Sequence, residues 1–275
     1  MSLVLVTRDK ETPAVAVLTL NRPEAMNSYN MALHDAMVEA IKQADADPSI
    51  RVIVITGAGR AFCAGADISE GFGGAGVDNV PAMHEGEMRD AGGMLNLALF
   101  ECDTPIIAAI NGAAVGIGAT MLCPMDMRVA SKKAKFAFPF ARRGIVCDGA
   151  ASWFLPRLVG FAKANEWILR ANILTADELH AAGFLSDICE PEEVLPRSLD
   201  IARDIAINCS PTSTANNKRL LRASLLGGGA LEDGPFKMHM MESKMLNKAF
   251  VGPDCAEGVQ SFLEKRPPEF KDRQD

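Results

Sequence analysis

The chain has 275 residues, of which 48% are hydrophobic and 23% charged, and its formal net charge is -7. That size and balance suit one sizeable core with a smaller appended segment. The negative balance argues against a general nucleic-acid or anionic-membrane binder, because no sequence-wide positive field would attract phosphate.

The opening MSLVLVTRDKETP has neither a basic leader nor a long apolar run, so it does not read as a signal peptide. Ala14–Leu20 alternates and is rich in β-formers, a strand that breaks at Asn21-Arg22-Pro23. Asn30 is placed to cap a helix from about Met31 to Ala44, with Leu33, Met37, Ile41 and Ala44 on one face. Ile50–Thr56 is a β-branched run of the kind buried on both faces of a sheet, and Gly57-Ala-Gly-Arg ends it. Residues 69–81 are glycine-rich and read as a loop. The order strand, glycine turn, helix repeats when Ile106–Ile110 leads through Asn111-Gly112 into a helix near Ala119–Cys123. Met127–Ala130 and Lys135–Phe138 read as short strands, so the pattern is α/β. After about Phe161 helices dominate. Thr175-Ala-Asp-Glu178 is a capping box whose helix should end at Gly183, followed by amphipathic helices at Val194–Asn208 and Thr212–Leu226 and a polar tail. No run of 18 apolar residues reads as a membrane span.

Several tempting patterns carry little. Gly71-Phe-Gly73-Gly-Ala-Gly76 matches a dinucleotide fingerprint but has no strand before it and no helix opening on it. The histidines (His34, His84, His180 and His239) form no metal-binding spacing, so no metal site is expected. The seven cysteines (Cys63, Cys102, Cys123, Cys147, Cys189, Cys209 and Cys255) are odd in number and never spaced C-x-x-C. They read as reduced core residues of a cytoplasmic protein.

Two segments carry the chemistry. In Gly57–Ile68 a buried strand enters a turn of small residues, Ala64, Gly65 and Ala66, ahead of Asp67. Small side chains let a ligand approach backbone N–H groups, although this segment alone reads first as a tight strand-to-helix turn with Asp67 as a cap. In Asn111–Ala119 a second strand enters a Gly/Ala turn that opens a helix, again with free N–H groups. Two such turns can supply the paired donors of an oxyanion hole.

These motifs, with Leu20–Asn27, Phe136–Gly160 and Pro268-Glu-Phe-Lys271 in the same order, resemble the crotonase (enoyl-CoA hydratase/isomerase) superfamily over nearly the whole chain. The resemblance implies a spiral of ββα repeats over residues 1–205. A C-terminal helical region, 206–275, would build homotrimers or hexamers. It implies an acyl-CoA thioester as substrate, with coenzyme A arriving as part of it and no permanently bound cofactor. The backbone amides of Ala66 and Ile117 would form the oxyanion hole. Ala25, Met26, Ala64, Asp67 and Ile68 would line the adenine and pantetheine path, and Phe270 and Lys271 match a tail that reaches coenzyme A in relatives, sometimes in a neighbouring subunit.

The sequence departs from the hydratase pattern at the reacting centre. The positions matching the two hydratase glutamates are Thr120 and Phe140, neither of which exchanges a proton as a carboxylate does. Asp148 instead matches the single acid of the enoyl-CoA isomerases. From its neighbours alone, an aspartate before Gly-Ala-Ala-Ser reads first as a helix N-cap. In the family setting it becomes a general acid/base, with Val146, Ala150, Ala151, Trp153 and Phe154 offering an apolar environment that raises its pKa. The expected activity is therefore Δ3,Δ2-enoyl-CoA isomerisation. The alternatives are a hydratase or dehydratase that activates water atypically, and a non-catalytic acyl-CoA binding protein.

Overall fold

Strands in the middle of the chain alternate between two sheets, as a computed structural model describing residues 2–67, 89–225 and 234–273 shows. In chain order the first half contains β1 (Val4–Arg8), β2 (Val15–Leu20), α1 (Met31–Ala46), β3 (Val52–Gly57), β4 (Ala61–Cys63) and α2 (Ala91–Glu101). Then come β5 (Ile106–Ile110), β6 (Ala113–Val115), α3 (Ile117–Thr120), β7 (Met127–Ser131) and β8 (Lys135–Ala137). The second half continues with α4 (Ala151–Val159), α5 (Phe161–Arg170), β9 (Ile173–Thr175), α6 (Ala176–Ala181) and β10 (Asp187–Cys189). Helices α7 (Val194–Asn208), α8 (Pro211–Leu225), α9 (Pro235–Phe250) and α10 (Pro253–Glu264) finish it.

The larger sheet has the order β1-β2-β3-β5-β7-β10 and the smaller β4-β6-β8-β9. Each repeat therefore gives one strand to each sheet: β3 then β4, β5 then β6, β7 then β8. Neighbours β2, β3, β5 and β7 pair in parallel, and so do β4, β6 and β8. The turns between the paired strands stack on one another. Asn111 accepts from Gly57 N–H at 3.2 Å and donates to the Gly59 carbonyl at 2.9 Å, stitching one turn to the next. A β-carbon on Gly112 would lie 2.1 Å from the Arg60 carbonyl oxygen, so this approach requires glycine.

The β-branched runs are buried on both faces, as their composition predicts. Ile53, Ile55, Ala108 and Ile110 join Leu18 and Leu20 against α1 and α2, while Val52, Val54, Ile107 and Ala109 pack with Val15 and Val17 on the α7 residues Ala202 and Ala206. Asn30 caps α1 through Leu33 N–H at 3.0 Å, and Thr175 and Glu178 form the expected reciprocal capping box. The expected boundary at 205/206 falls inside α7. Helix α8 is tied to the core by charge: Lys218 meets Asp126 at 2.7 Å and the Thr104 carbonyl at 3.0 Å, and Arg219 and Arg222 both grip Asp103.

Two expectations need correction, and one helix was not foreseen. The helix after the second glycine turn begins at Ile117 rather than Ala119 and lasts one turn. Cys209 is exposed and Cys147, Cys189 and Cys255 are half-buried, so only Cys63, Cys102 and Cys123 are core thiols; all seven are free. Helix α2 has no counterpart in the sequence reading, because AGGMLNLALFE is apolar on every side and shows no 3.6-residue stripe. Ile68 and the glycine-rich 69–81 stretch lie outside the described residues.

Candidate active site

The two small-residue turns converge. Gly65 has φ +106°, and a β-carbon there would lie 3.0 Å from the Val115 carbonyl oxygen; Gly116, at φ +55°, faces the Gly65 α-carbon. Gly118 is held as tightly, with its β-carbon position 2.1 Å from the Cys63 carbonyl oxygen. Parallel pairing of Tyr29 with Ala66 uses Tyr29 N–H on the Gly65 carbonyl and Asp67 N–H on the Tyr29 carbonyl, both at 2.8 Å. Ala66 N–H takes no part in that pattern and has no acceptor among the described residues. Ile117 N–H, in the first turn of α3, likewise has no acceptor among the described residues. Both residues line one cavity of about 240 Å3 together with Ala64, Gly92, Phe140, Arg143 and Asp148. Two N–H donors with no acceptor among the described residues, at the wall of a mainly apolar cavity, suit an anionic oxygen.

Asp148 enters this cavity from the turn before α4 and does not cap that helix. The N-cap is Ala150, at φ +52° and without a side-chain bond. The Asp148 carboxyl takes a hydrogen bond from the Thr120 hydroxyl at 2.7 Å. Burial raises its pKa to about 6, the Thr120 bond opposes the rise, and the negative charge of Asp90 adds to it. The apolar environment is not the expected one. Val146 is 87% exposed, and Trp153 and Phe154 turn away to pack edge-on against Phe100. Helical periodicity from Ala151 places those rings on the far side of α4. The walls around Asp148 come instead from Tyr29, Gly92, Ile117, Phe140 and Ile145.

Four neighbours of Asp148 were not singled out from the sequence. Asp90 caps α2 through Gly93 N–H at 2.5 Å and accepts Gly149 N–H at 3.2 Å. Gly92 follows it at the cavity wall. Asn96, fully buried, donates to the Thr120 carbonyl at 2.9 Å and to the Gly149 carbonyl at 2.6 Å. Tyr29, the one tyrosine of the chain, lines the cavity while its hydroxyl meets buried His34 Nδ1 at 2.7 Å. The available signal for α2 was Asp90 before Ala91-Gly-Gly, a possible N-cap without an amphipathic stripe behind it.

The expected coenzyme A path is brought together in part. Met26 accepts Ala64 N–H at 3.1 Å, so Ala25, Met26 and Ala64 are neighbours beside the first turn. Asp67 has a structural partner, the Arg22 guanidinium at 3.0 Å, which holds the turn onto residues 22–28. Asn27, fully buried, braces the same unit by donating to the Ala58 and Ala61 carbonyls at 2.9 and 2.8 Å. Phe270 and Lys271 are not brought to the cavity of their own chain. Arg51 grips the Phe270 carbonyl just before β3, whereas the site lies past the other end of that six-residue strand, about 20 Å away. Among the described residues no group of three or more His, Cys, Asp or Glu is placed to hold a metal, and no helix is long and apolar enough to cross a membrane.

The chain is similar to known proteins over nearly its whole length. The sequence profile described as Enoyl-CoA hydratase/isomerase matches residues 10–273. An enoyl-CoA hydratase of Alternaria alternata is 40% identical over 263 residues, covering 95% of this chain and 84% of that protein. The 1,2-epoxyphenylacetyl-CoA isomerase of Escherichia coli is 33% identical over 259 residues, covering 93% and 94%. A crystal structure of a probable enoyl-CoA hydratase/isomerase from Mycobacterium abscessus superposes with a TM-score of 0.85 at 34% identity, covering 98% of this chain and all of that one.

Proposed function

Because the chain belongs to the enoyl-CoA hydratase/isomerase family, we propose that it is a Δ3,Δ2-enoyl-CoA isomerase using Asp148 as its one mobile acid/base. The observation that carries this reading is the placement of the Asp148 carboxyl in the same cavity as Ala66 and Ile117, with Thr120 and Phe140 at the positions where hydratases carry glutamates. In the proposed reaction the thioester oxygen accepts from the Ala66 and Ile117 amides. Asp148 takes a proton from C2 of a 3-enoyl thioester, and the electron pair moves onto the carbonyl oxygen as a dienolate. The protonated carboxyl then gives its proton to C4, leaving the double bond conjugated between C2 and C3. One carboxyl serves both steps, whereas adding water asks for a second group to position it. Ala25, Met26, Ala64, Asp67 and Ile68 are proposed to border the coenzyme A path.

Phe270 and Lys271, remote from their own cavity, are proposed to serve a neighbouring copy in a trimer or hexamer. The exposed apolar residues Phe250, Val251, Phe262 and Leu263 of the last helices support such burial between copies. Sedimentation at micromolar concentration tests that assembly.

A second reading is hydration. The Alternaria relative is named a hydratase, and the Thr120 hydroxyl on Asp148 is a polar pair able to hold a water. Incubating a 3-enoyl-CoA with the wild type and with Asp148→Asn, and following the absorbance of the conjugated product, tests the first reading. Growth in the wild type alone supports it. No growth with either protein, together with hydration of crotonyl-CoA, supports the second. Binding without any turnover would leave a non-catalytic acyl-CoA binding role.

A further inference from the structure

A second carboxyl stands beside the first. Asp90 and Asp148 come from elements more than fifty residues apart, yet they enclose one spot at the cavity wall. A β-carbon on Gly92 would lie 3.1 Å from Asp90 Oδ1 and 3.3 Å from Asp148 Cγ, which puts the two carboxyls within about 6.5 Å of each other, a range at which like charges are felt. The same Asp90 Oδ1 accepts Gly93 N–H at 2.5 Å and Gly149 N–H at 3.2 Å. One oxygen thus joins the N-terminus of α2 to the residue that follows Asp148.

We infer that Asp90 is a positioning residue for Asp148, tethering the Asp148-Gly149 turn to α2 and setting a fixed negative charge beside the reacting carboxyl. The inference rests on the reading of Asp148 as the acid/base. Three observations favour a built arrangement over a surface aspartate that happens to cap a helix. Gly149 sits at φ +65°, and its β-carbon position is 2.7 Å from Asn96 Nδ2 and 3.0 Å from Thr120 Oγ1, so the turn that Asp90 holds is also clamped from α2 and α3. Gly92 has no side chain, which leaves the space between the two carboxyls open. The third is electrostatic: apart from Arg143 in the same cavity, Asp90 is the charged side chain that acts on Asp148.

The other groups around Asp148 come from every element packed there. Tyr29 ahead of α1, Cys63 at the end of β4, Cys123 after α3 and Cys147 on the same turn are all pushed up by burial. Burial lowers the pKa of His34, behind Tyr29. Thr120 does not titrate. Arg143 lines the same cavity and Asp90 stands opposite as the negative partner. Repulsion between the two carboxyls disfavours the second charge, so Asp90 helps Asp148 to keep a proton at a pH where an exposed carboxyl has lost it. An acid that must give the proton back at C4 benefits from that. The fixed backbone bond keeps it over the substrate while it does so.

The test is Asp90→Asn in the full-length protein. Asparagine caps a helix as well as aspartate does and keeps an oxygen for Gly93 and Gly149, so the substitution removes the charge and spares the tether. The readout is the titration of the Asp148 carboxyl by carbon-13 NMR in free protein, assigned by its disappearance in Asp148→Asn. The expected result is a midpoint lower than wild type by roughly half a pH unit or more, with the acid limb of kcat moving the same way and KM unchanged. A midpoint that stays at the wild-type value overturns the inference. Salt provides a second measurement on the unaltered protein. Raising ionic strength from about 0.02 to 1 M screens the pair and should lower the wild-type midpoint while leaving that of the folded Asp90→Asn variant in place; equal responses also overturn it. Because the titration needs no substrate, it separates the two claims. A midpoint that moves while Asp148→Asn still turns over would retain the coupling and discard Asp148 as the acid/base.

Discussion

The Thr120 hydroxyl lies 2.7 Å from Asp148 Oδ1, on a threonine at a position that the family resemblance matches to a glutamate of hydratases. The pair is held from behind, since Asn96 donates to the backbone carbonyls of both Thr120 and Gly149. A hydroxyl here steadies a buried acid. Under the proposed function, the site's chemistry depends on how far burial moves a single carboxyl.

Activity should follow the ionisation of that carboxyl. As a base, Asp148 must be unprotonated, and its pKa is raised to about 6 by burial, with Asp90 adding to the rise and Thr120 opposing it. The rate constant kcat/KM is expected to be flat above about pH 7 and to fall about tenfold per pH unit below about 6. Asp148→Asn should lose at least about 1000-fold at every pH. A stopped-flow pH profile checks both.

The same carboxyl should cost stability. It binds a proton more tightly folded, at about 6, than at its ordinary 3.8, so the native state is favoured at low pH and loses that advantage as pH rises through 6. Asp148→Asn keeps the Thr120 bond and removes the buried charge. It is expected to be more stable than wild type by up to about 3 kcal/mol at pH 7, with the gain shrinking to nothing below about pH 4. Urea unfolding at pH 7 and pH 4 measures the difference.

Thr120→Val removes the hydrogen bond that favours the ionised form. The acid limb of the activity profile should move to higher pH, and the rate at pH 6 should fall by about tenfold, the effect of losing one hydrogen bond to a charged group. An acid limb that moves to lower pH would show that the bond has the opposite sense.

Two glycines separate function from folding. At Gly92 a methyl group would meet Ile117 Cδ1 at 2.6 Å and Asp148 Cγ at 3.3 Å. Gly92→Ala should therefore displace Asp148 and Ile117, the proposed acid and oxyanion residue, with a loss of about 100-fold in kcat and a nearly unchanged melting temperature. At Gly118 the methyl would lie 2.1 Å from the Cys63 carbonyl oxygen, a backbone atom in the core. Gly118→Ala should lower stability by about 3 kcal/mol or more. Thermal melts of the two variants, beside their rates, test the contrast.

Much of this molecule is written locally. The β-branched runs at Ile50–Thr56 and Ile106–Ile110, the Asn30 cap, the Thr175 capping box and the helix at Val194–Asn208 are legible because each depends on residues within a few positions of one another. Asp67 and Asn27 were legible as members of motifs, but their work was not. Asp67 pairs with Arg22 and Asn27 bonds the Ala58 and Ala61 carbonyls, contacts that exist only once the strands have stacked.

The sequence by itself determined the chemical inventory of this protein: the two small-residue turns, and, through the family resemblance, Asp148 as the expected acid with Thr120 and Phe140 at the positions matched to the hydratase glutamates. Tertiary structure alone decided the environment of that acid. Trp153 and Phe154 are its neighbours along the chain but face away from it, because a helix sends successive side chains in different directions. Asp90, Gly92 and Asn96 are its neighbours in space because α2 packs against the α3 turn. A carboxyl's pKa is set by solvent exclusion and charge within a few ångströms, so it belongs to the folded neighbourhood.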